Sequence, residues 1–479
     1  MIYSRGVFFK ETVKDEHKCI LTVFLLFFCL FVYTVSAPAE FTGPAPDPTE
    51  EPVLTVYIET FGCKVNFYES AALLKKFQES GFETADSMQD ADVVVINSCT
   101  VTGNADRKDR FYYNRVRREN PGAVVALTGC WPQAYPDAAA KTGADVITGN
   151  GNRSELPSLV LSFIENREQL TEIKDLSTAC FEPLEADELL EHNRAFLKIE
   201  DGCEKYCTYC AIPKARGRVR SMPLEEITRQ CASFAEKGYH EIVLAGINLA
   251  AYGTDLGCDL GDAVDAASVP DGVVRVRLSS LECDIVTDAM LDRFAANPKF
   301  CPQFHLSLQS GCDRTLKRMN RHYTAEEYRS VCGRIRQRFR MPTFTTDIIA
   351  GFPGETEEDF MESLEFARSI GFLRVHVFPY SRRSGTMADA MPGQHTAAEK
   401  KRRAGILQKE LAAVSAGVME SFIGSGVRVI LEQQLPDGTF SGYTDRYLPV
   451  SAHFPGASRN DVVTGTVTGI KGGLAEVRP

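Results

Sequence analysis

The chain carries no excess of basic residues, no evident internal repeat, and no apolar run as long as the roughly 20 residues a membrane-spanning helix needs. Its 53 Lys and Arg stand against 64 Asp and Glu, a net charge of −11. That balance excludes indiscriminate binding to nucleic acid, so a polyanionic partner must be met by a local basic patch. The missing repeat, combined with 479 residues and an odd count of 15 cysteines, argues against a secreted disulfide scaffold. Clustered cysteines in a long, non-repetitive chain point instead to a metalloprotein in a reducing compartment. Hydrophobic residues at 44% and charged residues at 24% are ordinary for soluble globular proteins, and the length suggests about three domains.

The most informative residues are Cys203, Cys207 and Cys210 in DGCEKYCTYC. Structural zinc closes four ligands, commonly as paired C-x2-C motifs, and ferredoxin-type runs carry four cysteines. A C-x3-C-x2-C loop supplies three thiolates to a four-iron cubane and leaves one iron open. A 4Fe-4S cluster that binds S-adenosylmethionine (SAM) through that iron is the reading that uses all three cysteines. A chance grouping of thiols or a partial zinc knuckle is the plainer alternative.

From Val53 the pattern is α/β. VLTVYIETFGC reads as a strand ending at Cys63, and ESAALLKKFQESG as an amphipathic helix closed by Gly81. ADVVVINSC ends at Cys99, AVVALTGC ends at Cys130, and Asp145–Asn150 reads as a fourth strand and its turn. Ligands gather at the carboxyl ends of strands in open parallel sheets, so these three cysteines can converge on one site. Three buried free thiols are the alternative.

TFGCKVNFYES, INSCTVTGNADRK, LTGC and DGCEKYCTYCAIPKARGRVRS resemble the radical-SAM methylthiotransferase family, and LAGINLAAYG, RLSSLE, HLSLQSG, DIIAGFPGET and HVFPYSRRSGT follow in the family's order. The likeness runs from about Val53 to the end, where SGYTDRYLPV is similar to the family's TRAM domain. It implies two 4Fe-4S clusters. One, on Cys203, Cys207 and Cys210, cleaves SAM to methionine and a 5′-deoxyadenosyl radical. The other, on Cys63, Cys99 and Cys130, carries the sulfur. Tyr209 stands where the SAM loop usually has an aromatic. Gly62-Cys63-Lys64-Val65-Asn66 resembles the type that modifies threonylcarbamoyladenosine beside the anticodon of tRNA. The implied partners are a tRNA anticodon stem-loop, an electron donor such as a flavodoxin or ferredoxin, and a sulfur donor, with no stable membrane partner. Ser307, where the family often has Pro, and Trp131-Pro132 depart from the pattern without touching a cluster ligand.

Between about 190 and 415, FLKIED, EIVLAGIN, VVRVRLSS, FHLSLQS, TFTTDIIAGF and RVHVFPY alternate with helical segments. This is the rhythm of a parallel βα barrel in the open six-unit form, with chemistry at the strand carboxyl ends. Gly246, Asn248, Ser280, Glu282, Gln309 and Asp347 are expected at or just after those ends, as SAM contacts or as turn and rim residues. Basic residues cluster with aromatics in Arg107–Arg118, including Arg107, Lys108, Arg110 and Arg115, and again at Arg216 and Arg218 after the SAM loop. Such patches suit phosphates and stacking on splayed bases, the alternative being a solvated helix face. The tail from about 418 breaks into short β runs that read as a small β-barrel, with charges that nearly cancel.

The expected architecture is therefore α/β. An amino-terminal parallel domain spans 53–165, a radical-SAM partial barrel 190–415 and a TRAM barrel 418–479, preceded by an extension at 1–52. Within the extension Ile20–Val35 is apolar and exits through Ser36-Ala37 into a Pro- and acid-rich linker, as in a signal peptide. A mis-set translation start, a membrane anchor and export are the three readings of this segment. Export removes access to SAM and to a low-potential donor, so a cytoplasmic protein is expected, with an anchor at 20–35 left open. The competing functions are methylthiolation of isopentenyladenosine in tRNA, methylthiolation of a ribosomal-protein aspartate, and a non-catalytic zinc-bearing RNA-binding protein.

Overall fold

The computed structural model describes residues 53–101, 103–186 and 194–479, with the side chains of 103–106 left aside. The expectations placed on the 1–52 extension lie outside the described residues.

The amino-terminal sheet contains strands β1 (Thr55–Thr60), β2 (Glu83–Thr84), β3 (Val93–Ser98), β4 (Val124–Gly129), β5 (Val146–Thr148) and β6 (Leu170–Glu172) in the order β2-β1-β3-β4-β5-β6. Every pairing is parallel. All six residues of β3 and of β4 are buried. Their near-continuous apolar runs are what a strand covered on both faces requires. Helix α1 (Lys64–Glu79) follows β1, and α2 (Gly103–Glu119) follows β3. The four strands read from the sequence are present. The two-residue β2 and the edge strand β6, beyond position 165, carry too few apolar residues to announce themselves.

The central segment forms the six-strand open barrel. Strand β7 (Ala195–Lys198) is followed by a small antiparallel ribbon, β8 (Glu200–Asp201) with β9 (Arg220–Ser221), and then by β10 (Glu241–Ala245) and β11 (Arg275–Leu278). Next come β12 (Ser280–Leu281), β13 (Gln303–Leu306), β14 (Thr343–Ala350) and β15 (Arg374–Pro379). The parallel orders are β11-β10-β7 and β12-β13-β14-β15. Because β11 and β12 are parted only by Ser279, the two sheets form one curved wall with β7 and β15 as its free edges. Side chains alternate across this wall. Phe304, Leu306, Phe344 and Ile348 belong to the main apolar core, whereas Gln303, His305, Thr345 and Asp347 bond one another on the opposite, inner face.

Strands β16 (Gly426–Gln434), β17 (Phe440–Thr444), β18 (Pro449–Ala452), β19 (Val462–Lys471) and β20 (Leu474–Arg478) close a small barrel in the order β16-β17-β18-β20-β19. This barrel docks on the amino-terminal end of the central one. Arg275 donates to the Tyr443 carbonyl at 2.9 Å, Arg277 to the Thr444 and Asp445 carbonyls at 3.1 and 3.0 Å, and Thr343 to the Arg446 carbonyl at 2.6 Å. Glu241 holds both arginines by ion pairs. Among the described residues no helix is long and apolar enough to cross a membrane.

Candidate active site

Three neighbouring strands, β1, β3 and β4, each deliver a cysteine at the carboxyl end. Cys63 caps α1, Cys99 follows β3, and Cys130 begins the short helix after β4. Two glycines let these ends close together. Gly62 has φ +125°, and a Cβ there would lie 3.0 Å from the Cys99 Cβ. Gly129 has φ +99°, and a Cβ there would lie 2.6 Å from the Ser98 carbonyl oxygen. Burial pushes the Cys99 thiol well up, and the nearby Cys130 and Cys63 push it further. The Cys130 thiol is also raised by burial, with Arg216 opposing. Arg216 Nε donates to Cys130 Sγ at 3.2 Å.

The second triad lies on the loop after the β8 strand. Its entry is Gly202 at φ +96°, where a Cβ would strike the Arg218 carbonyl oxygen at 1.8 Å. Cys203, Cys207 and Cys210 are half-buried. Burial and the neighbouring cysteines push Cys203 and Cys210 each up to about 12. Arg321 Nη1 donates to Cys207 Sγ at 3.3 Å and pairs with Glu282. Tyr209 packs edge-on against Phe352, ring centroids 6.3 Å apart. The GFPG turn therefore supports the SAM loop through its buried phenylalanine, a role its turn chemistry did not announce.

Among the described residues the one set of His, Cys, Asp or Glu ligand atoms gathered within 4.8 Å is Cys312, Asp359 and Glu362. Arg314 and Arg318 hold Asp359 there at 2.5 and 2.8 Å, which makes it an ion-pair cluster. Neither cysteine triad is drawn that tight. Three soft thiol donors, spread wider than a single ion needs and with a guanidinium on one sulfur, fit a multi-iron cluster at each site. Loading either triad must displace thiol protons, against the burial that raises Cys99 and Cys130 at one site and Cys203 and Cys210 at the other.

The expected SAM residues divide into two groups. Gly246, just after β10, leaves room for Glu200, whose Oε2 would lie 2.6 Å from a Cβ at that position. The Asn248 backbone N–H donates to the same oxygen at 2.7 Å. Glu200 Oε1 and Asn248 Oδ1 are buried with no hydrogen-bond partner among the described residues, and burial pushes the Glu200 carboxyl well up. These unmet atoms beside the Cys203 loop suit a polar ligand. Sequence reasoning missed Glu200, although the acidic end of FLKIED was its signal. Ser280 is hydrogen-bonded to Ser307 at 2.9 Å, Glu282 is taken by Arg321, and Gln309 holds φ +63° while its N–H donates to the Asp347 carbonyl. Asp347 differs from expectation. It sits inside β14, on the inner face, where burial would raise its carboxyl but His305 Nε2 at 3.5 Å holds it low.

The two triads share a buried hub. Glu69 of α1, fully buried, accepts from Arg216 Nη1 at 2.5 Å and Nη2 at 2.9 Å, from Lys198 Nζ at 2.8 Å and from Arg153 Nη2 at 3.0 Å. Asp201 takes Lys198 at 3.1 Å, Arg216 at 3.2 Å and Arg220 at 3.4 Å. Arg216 also reaches Asn66 Oδ1 at 2.8 Å. The assignment of Arg216 to RNA is therefore corrected. It has no exposed surface, and its donors are spent on carboxylates, Asn66 and the Cys130 sulfur. By contrast Arg107, Lys108, Arg110 and Arg218 are exposed, and Phe111 is 66% exposed beside them. Arg115 is half-buried and pairs with Glu119 at 3.0 Å. Tyr112 belongs to the core, and Tyr113 lies beneath Arg117. The basic run near 400 is internal in part, Arg403 being paired with Glu355 and Glu399.

Residues 197–367 match the Radical SAM superfamily, and residues 55–149 match a family described as uncharacterized protein family UPF0004. The threonylcarbamoyladenosine tRNA methylthiotransferase MtaB of Thermotoga maritima is 37% identical over 395 residues, covering 82% of this chain and 90% of the relative. MtaB of Bacillus subtilis is 36% identical, covering 83% and 90%. The tRNA-2-methylthio-N(6)-dimethylallyladenosine synthase of Syntrophomonas wolfei is 33% identical, covering 80% and 87%. Among solved structures, the radical SAM methyltransferase TsrM of Kitasatospora setae superposes with a TM-score of 0.52 at 15% identity, over 71% of this chain and 77% of that one. That last likeness concerns the fold alone.

Proposed function

The chain belongs to the radical-SAM methylthiotransferase family, and from that premise we propose that it adds a methylthio group to carbon 2 of threonylcarbamoyladenosine beside the anticodon of tRNA. The observation that carries the reading is the convergence of two three-cysteine sites on one buried hub, with Arg216 leaving the SAM loop to donate to Cys130. When bound, a cluster with SAM at Cys203, Cys207 and Cys210 supplies a carbon radical, which an adenine C2–H without acidity requires, and a cluster at Cys63, Cys99 and Cys130 supplies the sulfur.

The chain's own residues orient and seclude this chemistry. Arg321 and Arg216 each place an N–H on a ligand sulfur, which favours the thiolate. Glu200, whose carboxyl burial pushes well up, and Asn248 offer polar atoms on the floor beside the loop. The hub holds the two sites at one spacing and keeps water out. Arg107, Lys108, Arg110 and Arg218, with Phe111, supply the local positive, stacking surface that an anticodon stem-loop needs on an acidic protein. A flavodoxin- or ferredoxin-type donor and a sulfur donor complete the reaction, which belongs in the cytoplasm where SAM and reductant are supplied.

The test is anaerobic reconstitution of the full chain, with iron counted and tRNA nucleosides analysed by mass spectrometry. About eight irons per chain, four per triad, and a methylthio product on threonylcarbamoyladenosine are expected. Product on isopentenyladenosine alone would move the assignment to that substrate, and bound zinc without SAM cleavage would end it.

A further inference from the structure

The loop that leaves edge strand β15 lies against both cysteine sites. Its hydrogen bonds to distant segments land close to the ligands of each triad. Arg383 Nη2 donates to the hydroxyl of Thr100, the residue after Cys99. The hydroxyl of Tyr135, just past the short helix that Cys130 begins, donates to the Ser384 carbonyl at 3.0 Å. Lys214 Nζ, on the helix that follows Cys210, donates to the Gly385 carbonyl at 2.9 Å. The Ala388 N–H donates at 2.8 Å to the carbonyl of Thr208, between Cys207 and Cys210.

The loop's own structure holds it in this course. Gly385 takes φ +74°, and a Cβ there would meet Lys214 Nζ at 2.7 Å. Thr386 closes the turn on the Arg383 carbonyl through its N–H at 3.1 Å and its hydroxyl at 2.8 Å. Arg383 is 3% exposed, and its guanidinium lies 5.5 Å from the Tyr135 ring centroid, a cation–π contact. Ala388 is buried in one apolar cluster with Met319, Phe352 and Tyr380, against which Tyr209 packs. The hub already ties Cys130 to Asp201 ahead of Cys203 through Arg216. A single tether leaves two bodies free to pivot about it. The loop adds a second tether at other members of each triad, from the Cys99 loop to the stretch between Cys207 and Lys214, and so fixes orientation as well as spacing.

We propose that Arg383, with the Ser384–Gly385 backbone, is a positioning strap for the methylthiolation, which seats the Cys99 loop on the SAM loop so that the chemistry of the two sites meets on one base. This rests on the two-cluster reading and adds what holds the sites in register. Arg383 acts through Thr100 and Tyr135, so its loss uncouples the sites instead of emptying them. SAM is still cleaved, but fewer cleavages end in product. A misplacement of about 1 Å can cost roughly 10²-fold in such a step.

The test uses the reconstituted full-length enzyme with tRNA bearing threonylcarbamoyladenosine, or isopentenyladenosine where wild type takes that base. Iron per chain, methylthio product per 5′-deoxyadenosine, and the magnetic coupling between the two reduced clusters by electron paramagnetic resonance are read together. The coupling reports spacing and orientation without turnover. Arg383→Ala should keep about eight irons, lose roughly 10- to 100-fold in product per 5′-deoxyadenosine, and change the coupling. Arg383→Lys, which still offers a donor to Thr100, should recover part of both. Where Arg383→Ala loses iron, the double variant Tyr135→Phe with Lys214→Met decides. It removes two of the strap's bonds from side chains that are half-buried and exposed, and it should lower the same ratio and shift the coupling. A ratio and coupling that match wild type in the deciding variant overturn the strap and leave the proposed reaction standing. A lower ratio with unchanged coupling assigns the loop to RNA binding and also overturns the strap. A wild type that holds about four irons per chain, or yields no methylthio nucleoside, overturns both readings.

Discussion

Replacing Glu69 by Gln should separate the amino-terminal domain from the central barrel, because this one carboxylate meets three cations from three segments. It is fully buried and accepts four bonds of 2.5 to 3.0 Å from Arg216, Lys198 and Arg153. An amide keeps the shape, but its NH2 must face a guanidinium donor, and Asp201 remains the single carboxylate for Lys198, Arg216 and Arg220, with none left for Arg153. Breaking a buried pair by removing one partner costs about 3–5 kcal/mol, a factor of roughly 10² to 10³ or more in the docking equilibrium. Denaturant unfolding, with hydrogen exchange read on α1 and on residues 212–221, measures it. Iron retained at Cys63, Cys99 and Cys130 should fall as well, since Arg216 loses its anchor beside Cys130. A triple variant, Glu69→Leu with Arg216→Met and Arg153→Met, should recover much of the loss, as apolar replacements of buried ion pairs do, since Lys198 and Arg220 keep Asp201. The pH dependence has a definite sign. Burial alone would raise the Glu69 carboxyl, but Arg153, Arg216 and Lys198 hold it well below its ordinary value, so the hub stabilises the fold above about pH 4 and loses that contribution on acidification. A Glu69→Gln penalty under about 1 kcal/mol, the size expected of an exposed pair, with unchanged exchange, would refute the reasoning.

Cys63→Ala should lower reconstituted iron from about eight to about four per chain while SAM cleavage continues without thiolation. Cys203→Ala should abolish cleavage and keep the amino-terminal irons, and metal analysis with 5′-deoxyadenosine quantification separates the two. Gly129→Ala should cost roughly 1–3 kcal/mol of backbone strain and loosen iron at Cys130, because φ is +99° and the new Cβ meets the Ser98 carbonyl at 2.6 Å. Gly122→Ala, with nothing within 4 Å, should be silent in the same thermal melts. His376 should titrate near 4 in histidine-labelled NMR spectra because burial disfavours its charged form. It therefore withdraws stability as pH falls from the unfolded value of about 6.5 toward 4, and a His376→Asn variant should flatten that part of the curve.

The sequence by itself determined the C-x3-C-x2-C loop, the strands that end in Cys63, Cys99 and Cys130, the order of the three structured segments and the six-strand barrel. Each of these is written locally. Apolar runs of strand length mark β3 and β4, and a three-cysteine loop cannot close a four-ligand site. The convergence of the three strand-end cysteines is instead the work of the sheet, which sets β1, β3 and β4 side by side. The short strands β2 and β6 were not legible, since two or three residues carry no periodicity. The fate of individual charges was decided only in three dimensions. Arg216 and Arg218 are two positions apart in one basic run, yet one is sealed against Glu69, Asp201 and Cys130 while the other faces solvent. The partners of Arg216 lie as far as 150 residues away. A charge repeats along a sequence whether it is paired or free. Pairing depends on which distant carboxylates the fold brings within hydrogen-bond reach, and no local pattern records that.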